Sequence, residues 1–225
     1  TKMDITVILN LGNVCSDSKE HKNIRERAGE AEEAFQQCDF IESPTMGMQM
    51  EELNVNLKVA TDYLISLFEA TDQKYSCSRI KLGKLLSIVA FKYACSNQLV
   101  FKEDVYKYKD CGAIMYGMNA ITDMSPYIRF DYLDNKEYID TDFIGKVPVQ
   151  NDLPVDVKRK IESVFRYFGS YPAKDIGCMI NPILALDNIL DEDGKVNLCL
   201  FKDIKPSAIK NANDSSNLVS FLFDA

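Results

Sequence analysis

Histidine and tryptophan are scarce in this sequence of 225 residues, which contains one histidine, His21, and no tryptophan. Structural zinc is usually held by four cysteine or histidine ligands, so one histidine leaves no convincing His/Cys set. Nucleophilic catalysis by serine or cysteine needs a base held beside the nucleophile, and no second histidine is present to supply it. We therefore predict no catalytic residues, no cofactor site and no metal site, and we place His21 on a charged helix.

Long apolar runs and closely paired cysteines are also missing. No run reaches the roughly 20 apolar residues of a membrane-spanning helix, so no membrane partner is expected. The seven cysteines form no Cys-x-x-Cys motif, their number is odd, and no secretory signal precedes them. These features favour reduced thiols in a cytoplasmic protein, with several cysteines acting as small core residues.

Basic residues are outnumbered: 26 lysines and arginines face 34 aspartates and glutamates, for a net charge of -8. Binding to nucleic acid begins with the neutralisation of phosphate charge, so this balance disfavours nucleic acid as a partner. The charge suits a basic partner, or it simply keeps the protein soluble. Hydrophobic residues make up 46% of the chain, which predicts a packed core.

The residue pattern divides the chain into an N-terminal extension and one main domain. Residues 4–9 alternate as a short strand, and residues 18–38 form a highly charged helix with a thin apolar stripe. Pro44 and Gly47 then mark a linker. We predict an extension over residues 1–45 and a helix-rich domain over residues 46–225.

The main domain is predicted to be α+β and mainly helical, built around one central buried helix. Residues 80–94 (IKLGKLLSIVAFKYA) are apolar around most of this helix, so protein must cover most of its sides. Its lysines, Lys81, Lys84 and Lys92, fall in one angular stripe that we predict to be solvated. Gly83 is predicted to allow the close approach of a second helix.

Other helices are predicted around the central one. A helix at about 55–70 has ordinary amphipathic spacing. A second helix opens at Pro154 and ends at Gly169, and a third opens at Pro172 and ends at Pro182.

Short antiparallel strands complete the predicted fold. Extended segments are expected at residues 99–101, 105–108 and 127–133. Residues 190–201 are interpreted as a hairpin that turns on Asp193 and Gly194, because Asp-Gly suits the positive φ angles of a tight turn. An apolar segment at residues 215–223 closes the chain.

Two acid-rich segments are the candidates for enzymatic chemistry. Residues 131–142 hold five acids and one lysine, and they are interpreted as a solvated edge or as a surface for a basic partner. Together with residues 187–193 they could form a hydrolase with a carboxylate-bound metal, which is one alternative function. The other alternative is a nucleic-acid-binding regulator, which the net charge disfavours. A calcium loop around Gly194 is rejected because Ile189 and Leu200 fall where acidic ligands are required.

The candidate partner-binding residues are Tyr106, Lys107, Tyr108 and Tyr116. Aromatic rings beside basic groups are favoured at protein contact surfaces, because the rings bury a large rigid area. Two other interpretations stay open for these residues. The tyrosines could simply pack a small sheet, or the alternation of aromatic and basic groups could bind single-stranded nucleic acid.

The order of elements over residues 55–184 resembles the Panacea domain of bacterial and phage antitoxins. Three segments carry this resemblance: LGKLLSIVAFKYA (82–94), NQLVFKEDVYKYKDCGA (97–113) and VKRKIESVFRYFGSYPAKDIGCMI (157–180). The family's Tyr-Gly-Pro motif is replaced here by residues 108–112, without proline, and its late His-x-x-x-x-Trp pattern is absent.

The resemblance implies a function without catalysis. Members of the Panacea family neutralise a toxin protein by direct binding, or they deliver a partner to a protease. For this chain, the implied role is therefore an antitoxin, adaptor or phage-type inhibitor whose partner is another protein, either a toxin or a protease or defence component. The family's Lys-Tyr-Gly motif corresponds to the region of Lys107 and Tyr108, which implies the same contact surface.

Overall fold

A computed structural model of the chain describes residues 49–71, 73, 76–109, 111–123, 129–133, 136–140, 152–209 and 216–223. The strand predicted at 4–9, the helix predicted at 18–38 and His21 lie outside these residues. The residues from Met50 to Ala225 belong to one unit by their contacts. The boundary predicted after residue 45 stays a prediction.

Helices and short strands alternate along the described chain, and the class is α+β, as predicted. The elements are β1 (Glu51–Val55), α1 (Leu57–Ala70), α2 (Arg79–Ala94), β2 (Gln98–Phe101), β3 (Val105–Lys107), β4 (Ala113–Met115), α3 (Met118–Asp123), β5 (Arg129–Leu133), β6 (Lys136–Asp140), α4 (Val155–Phe168), α5 (Ala173–Leu184), the 3-10 helices Leu198–Asp203 and Pro206–Ala208, and α6 (Ser216–Phe223).

Local capping groups set the starts of the first two helices. The side chain of Asn56 accepts a hydrogen bond from the backbone N–H of Lys58 at 2.9 Å, so α1 begins at the next residue. Ser78 caps α2 in the same way, through the backbone N–H of Lys81 at 3.2 Å. The helix predicted to open at Pro154 is confirmed as α4, with Gly169 at its C-cap.

Helix α2 is the centre of the core, as its sequence predicts. Leu82, Leu85, Leu86, Ile88 and Val89 point in several directions around the helix, and none is more than 1% exposed. The helix packs against strands β2 and β4 and against all the other α-helices of the described chain. A helix that is apolar on most sides must be covered on most sides, and here it is.

The prediction of a solvated lysine stripe on α2 is wrong. Lys81 and Lys84 are each 1% exposed. The Lys84 amine donates to the backbone oxygen of Ala173 at 2.6 Å. The Lys81 amine donates to Ser76 Oγ at 3.3 Å and lies 5.2 Å from the centre of the Phe68 ring. Helical spacing places the lysines on one stripe, but residues distant in sequence cover that stripe.

The described strands form three separate pairs, of which two are antiparallel, as predicted, and one is parallel. β1 pairs with β2 in parallel, while β3 with β4 and β5 with β6 are antiparallel. The parallel pair is possible because α1 and α2 carry the chain back between its two strands. β1 was not predicted, since its sequence EELNV is mostly polar. It contains Asn54 at φ 52, where the register with β2 shifts.

Two predicted ends of elements are wrong. Pro182 does not terminate α5, which continues to Leu184. Proline at this position removes one i→i−4 hydrogen bond, and the helix ends two residues later. The hairpin predicted at 190–201 keeps its turn and one antiparallel bridge, Leu190 with Val196, but the chain then enters the 3-10 helix Leu198–Asp203.

Gly83 allows a close approach to a strand, and not to a helix as predicted. A Cβ atom at this position would collide with the Ile114 side chain of β4.

The cysteines are less buried than predicted. Five lie in the described part of the chain, all with free thiols: Cys77 is buried, Cys95 is half-buried, and Cys111, Cys178 and Cys199 are exposed. Among these five described cysteines, only Cys77 is a core residue as predicted.

Candidate functional site

The four predicted contact residues lie on or beside the β3–β4 hairpin. Tyr106 and Lys107 belong to β3, Tyr108 follows it, and Tyr116 follows β4. We call these four residues the tyrosine surface. Tyr116 is 66% exposed and Tyr108 is 39% exposed. These residues were predicted to lie among loop residues that the core does not need. Tyr106 and Lys107 instead belong to a strand, so this part of the prediction is wrong.

The hairpin is anchored in the core by its small and apolar residues. Val105 pairs with Met115, and Lys107 pairs with Ala113. Val105, Ala113 and Met115 are each at most 2% exposed. The strands are thus held by burial, while aromatic and basic side chains of the same segment remain accessible. A surface of this kind is presented in a fixed geometry, which lowers the entropic cost of binding.

The structure brings Tyr106 and Tyr116 together. Their ring centres are 5.7 Å apart with an interplanar angle of 47°. Tyr106 is directly opposite Ile114 in the hairpin, and opposite residues project on the same face. Tyr108 lies two residues beyond Tyr106, the spacing that returns a side chain to the same side of a strand.

A second segment pairs with the free edge of β3. The backbone N–H of Lys107 donates to Gly194 O at 2.9 Å, and that of Val196 donates to Val105 O at 2.8 Å. Tyr106 and Lys195 form the antiparallel bridge between them. The Asp-Gly turn and the tyrosine segment, which the sequence analysis treated separately, therefore form one structural unit.

Lys195 and Asp104 lie beside the tyrosine surface, and neither was predicted as a site residue. The Lys195 amine lies 2.7 Å from Asp104 Oδ1, and both side chains are partly exposed. The hydrogen bond to Asp104 raises the pKa of Lys195 above its usual value. No sequence signal joins the two residues, because the pairing of β3 with the Asp-Gly turn brings them together.

The loop between the strands is closed by its own backbone. Tyr108 N–H donates to Gly112 O at 2.7 Å, and Cys111 N–H donates to Tyr108 O at 2.9 Å. Lys109 and Gly112 have φ angles of 48° and 90°. A positive φ at Gly112 suits glycine, and this turn fixes where the backbone of Tyr108 lies.

One residue of each acidic segment, Glu137 and Asp191, has a structural role. Glu137 on β6 accepts a hydrogen bond from the Arg79 backbone N–H at 2.8 Å and forms an ion pair with its side chain at 3.2 Å. Glu137 therefore holds the N-terminal end of α2. This residue is not part of a solvated edge, which was one interpretation of the segment. Asp191 Oδ1 accepts the backbone N–H groups of Asp193 and Lys195 and closes the turn. Among the described residues, no group of three His, Cys, Asp or Glu side chains is placed to hold a metal ion.

A groove of about 630 Å³ is lined by residues of α2, α4 and α6. Four aromatic rings line it, those of Tyr167, Phe168, Tyr171 and Phe221, and Tyr167 is 60% exposed. Lys92, predicted to be solvated, is half-buried at its edge, and its amine donates to Phe221 O at 2.7 Å and to Leu222 O at 3.1 Å. This lysine thus binds the C-terminal carbonyl groups of α6, as cations at helix ends do.

Within the same groove, Lys160 is also engaged. Its amine lies 3.1 Å from Asp156 Oδ2 and 4.1 Å from the centre of the Tyr93 ring. Asp156 accepts a second hydrogen bond, at 2.5 Å, from the Tyr93 hydroxyl. That bond and the one from Lys160 lower the pKa of Asp156. The polar groups here join α2 to α4.

Comparisons with known proteins returned no relative: no family model, no curated protein and no solved structure matches the chain. The Panacea resemblance thus stays a prediction that rests on the three segments quoted above. Within the described ranges, no helix combines the length and the apolar character needed to cross a membrane.

Proposed function

We propose that this chain is a non-enzymatic protein-binding module that contacts its partner through the tyrosine surface. One observation carries the proposal: exposed tyrosines and a lysine project from a hairpin that is held in the core by the buried residues Val105, Ala113 and Met115. Large aromatic side chains on a rigid support are the residues that dominate the energy of protein contacts. The antitoxin or adaptor role follows from the Panacea resemblance, and the partner would then be a toxin protein or a protease component.

The charge around the tyrosine surface indicates what the partner presents. Lys102, Lys107 and Lys109 are exposed on the same segment, in a molecule whose net charge is -8. Opposite charges across an interface steer association and fix orientation. The adjoining turn exposes Asp191, Glu192 and Asp193, so we infer that the partner carries carboxylate groups facing the lysines and basic groups facing the turn. The molecule as a whole still suits a basic partner, and the local lysines set the detail of the contact.

The test uses the double variant Lys107→Glu, Tyr108→Ala and the product of any small toxin-like reading frame adjacent in the genome. We expect binding, measured by calorimetry, to weaken at least about 100-fold, because hot-spot truncations commonly cost 2 kcal/mol or more and the charge is reversed. The melting temperature should stay unchanged, since both residues are exposed.

A matched control carries the same chemical changes elsewhere. Lys202→Glu with Tyr132→Ala alters an exposed lysine and a tyrosine that is 68% exposed, both outside the tyrosine surface. Partner binding should be unaffected by this control. Undiminished binding of the first variant, or a large fall in its melting temperature, would contradict the proposal.

A further inference from the structure

Residues from three elements meet around Gly177 of α5: Lys84 of α2, Cys111 of the loop after β3, and Cys178, the next residue of α5. A Cβ atom on Gly177 would be 2.6 Å from the Lys84 amine and 2.7 Å from the backbone carbonyl carbon of Cys111. A Cβ atom on Gly112 would be 2.9 Å from the Gly177 Cα. The loop carrying Cys111 is therefore in direct contact with the backbone of α5, at the residue that precedes Cys178.

Both cysteines are accessible to reagents, whereas the Lys84 amine is not. Cys111 and Cys178 are exposed free thiols. Lys84 is 1% exposed and reaches the site from α2, with its amine bonded to Ala173 O at the start of α5. Burial lowers the pKa of Lys84, and the two nearby thiols oppose that change. Each thiol thus contributes to the electrostatic environment of the Lys84 amine.

This arrangement has the parts that thiol–disulfide exchange requires. The thiolate is the attacking species, and a neighbouring cation stabilises it. A second thiol must then be near enough to resolve the mixed disulfide. Cys111 and Cys178 supply two thiols at one contact, and Lys84 supplies the cation.

We propose that Cys111 and Cys178 form a two-thiol modification site for low-molecular-weight disulfides such as oxidised glutathione. The thiolate of one cysteine attacks a sulfur of the reagent, and one reagent thiolate leaves. The second cysteine attacks the resulting mixed disulfide, and the other reagent thiolate leaves. The protein's two thiols are oxidised to one disulfide, the reagent disulfide is reduced to two thiols, and the two protons pass to the leaving thiolates.

The product would join the loop at residues 108–112 to α5. This loop includes Tyr108 of the tyrosine surface, so oxidation would restrain one edge of that surface. The modification site itself does not depend on the proposed function, because its test needs no partner.

The experiment treats the full chain at low concentration with oxidised glutathione, and maps peptides without reduction by mass spectrometry. We expect one intramolecular peptide pair joining Cys111 to Cys178. In Cys111→Ser or Cys178→Ser, the remaining thiol should keep glutathione as a stable mixed disulfide. Cys199→Ser, which removes an exposed thiol elsewhere, should leave the linkage unchanged.

Two results would overturn the proposal. One is a link that joins other cysteines or separate molecules. The other is a linked wild-type yield no greater than that of the single serine variants. Lys84→Met tests the cation, and the first exchange should slow by about tenfold if Lys84 stabilises the attacking thiolate. An unchanged rate in this variant would show that Lys84 does not act on the thiols. If Lys84→Met does not fold, the serine variants alone test the thiol pair.

Discussion

At the scale of single residues, the two buried lysines of α2 are the main departure from sequence-based expectation. Spacing fixes their angular position, but what covers them comes from elsewhere: Ser76 and Phe68 lie around Lys81, and Ala173 and Gly177 lie around Lys84. The tyrosine surface shows the same limit. Its aromatic residues can be predicted from the local sequence, whereas the ion pair of Lys195 with Asp104 depends on a turn that is distant in sequence.

Lys81 should weaken the fold, because its buried amine has one long hydrogen bond and a ring contact as partners. We expect Lys81→Met to raise the free energy of unfolding by about 1 kcal/mol near neutral pH, since methionine fills similar volume without a buried charge. Lys92→Met is the matched control. It should lower the free energy by about 1 kcal/mol, because two helix-end carbonyl groups lose their donor. Urea denaturation measures both.

The pH dependence of the Lys81 effect provides an independent check. Burial lowers the pKa of Lys81 below 10.5, its value in the unfolded chain. Between the two values the unfolded state binds more protons, so the stability of the wild type rises with pH. The advantage of Lys81→Met should therefore shrink as the pH approaches 10.5 and vanish above it. An advantage that grows with pH would contradict this account.

At the scale of elements, helices are predictable where caps and apolar periodicity lie close together in the sequence. Pro154 and Pro172 mark the starts of α4 and α5 correctly. β1 was missed because its hydrogen bonds come from β2, on the far side of two helices, and its own residues are polar. Contacts between elements are equally difficult to predict, because the sequence around Gly83 or Gly177 does not indicate which segment packs against that glycine.

The two helix glycines should tolerate alanine differently. Alanine at Gly177 would meet the backbone of Cys111, which cannot move without the whole loop. At Gly83 it would meet the side chain of Ile114, which can rotate away. We expect Gly177→Ala to lower the free energy of unfolding by about 1–3 kcal/mol, as overpacking does, and Gly83→Ala to lower it less.

Chemical denaturation of the two glycine variants measures this difference directly. Alanine improves helix propensity by about 1 kcal/mol at both sites, so that gain cancels in the comparison. Lys174→Ala, an exposed change on α5, is the control and should have little effect. A larger fall in the free energy of unfolding for Gly83→Ala than for Gly177→Ala would show that the contact between α5 and the loop is not rigid.

At the scale of the whole molecule, α2 organises the described chain. Burial of its apolar residues stabilises the fold by about 1.5–3 kcal/mol for each large side chain. The tyrosine surface depends on the same core, because Val105, Ala113 and Met115 hold the hairpin against it. A stable core and a rigid contact surface are thus built from overlapping residues, so changes in partner binding have to be judged against stability.

Leu85→Asp should unfold this domain. Leu85 is 0% exposed, and aspartate there loses the leucine's burial and places an unpaired carboxylate in the core. These costs together approach the total stability of a typical domain, about 5–15 kcal/mol. We expect loss of the cooperative thermal transition, measured by calorimetry and circular dichroism. Val155→Asp makes a similar change at a residue that is 64% exposed and should melt like the wild type. A soluble Leu85→Asp variant with a cooperative transition would show that α2 is not the centre of the core.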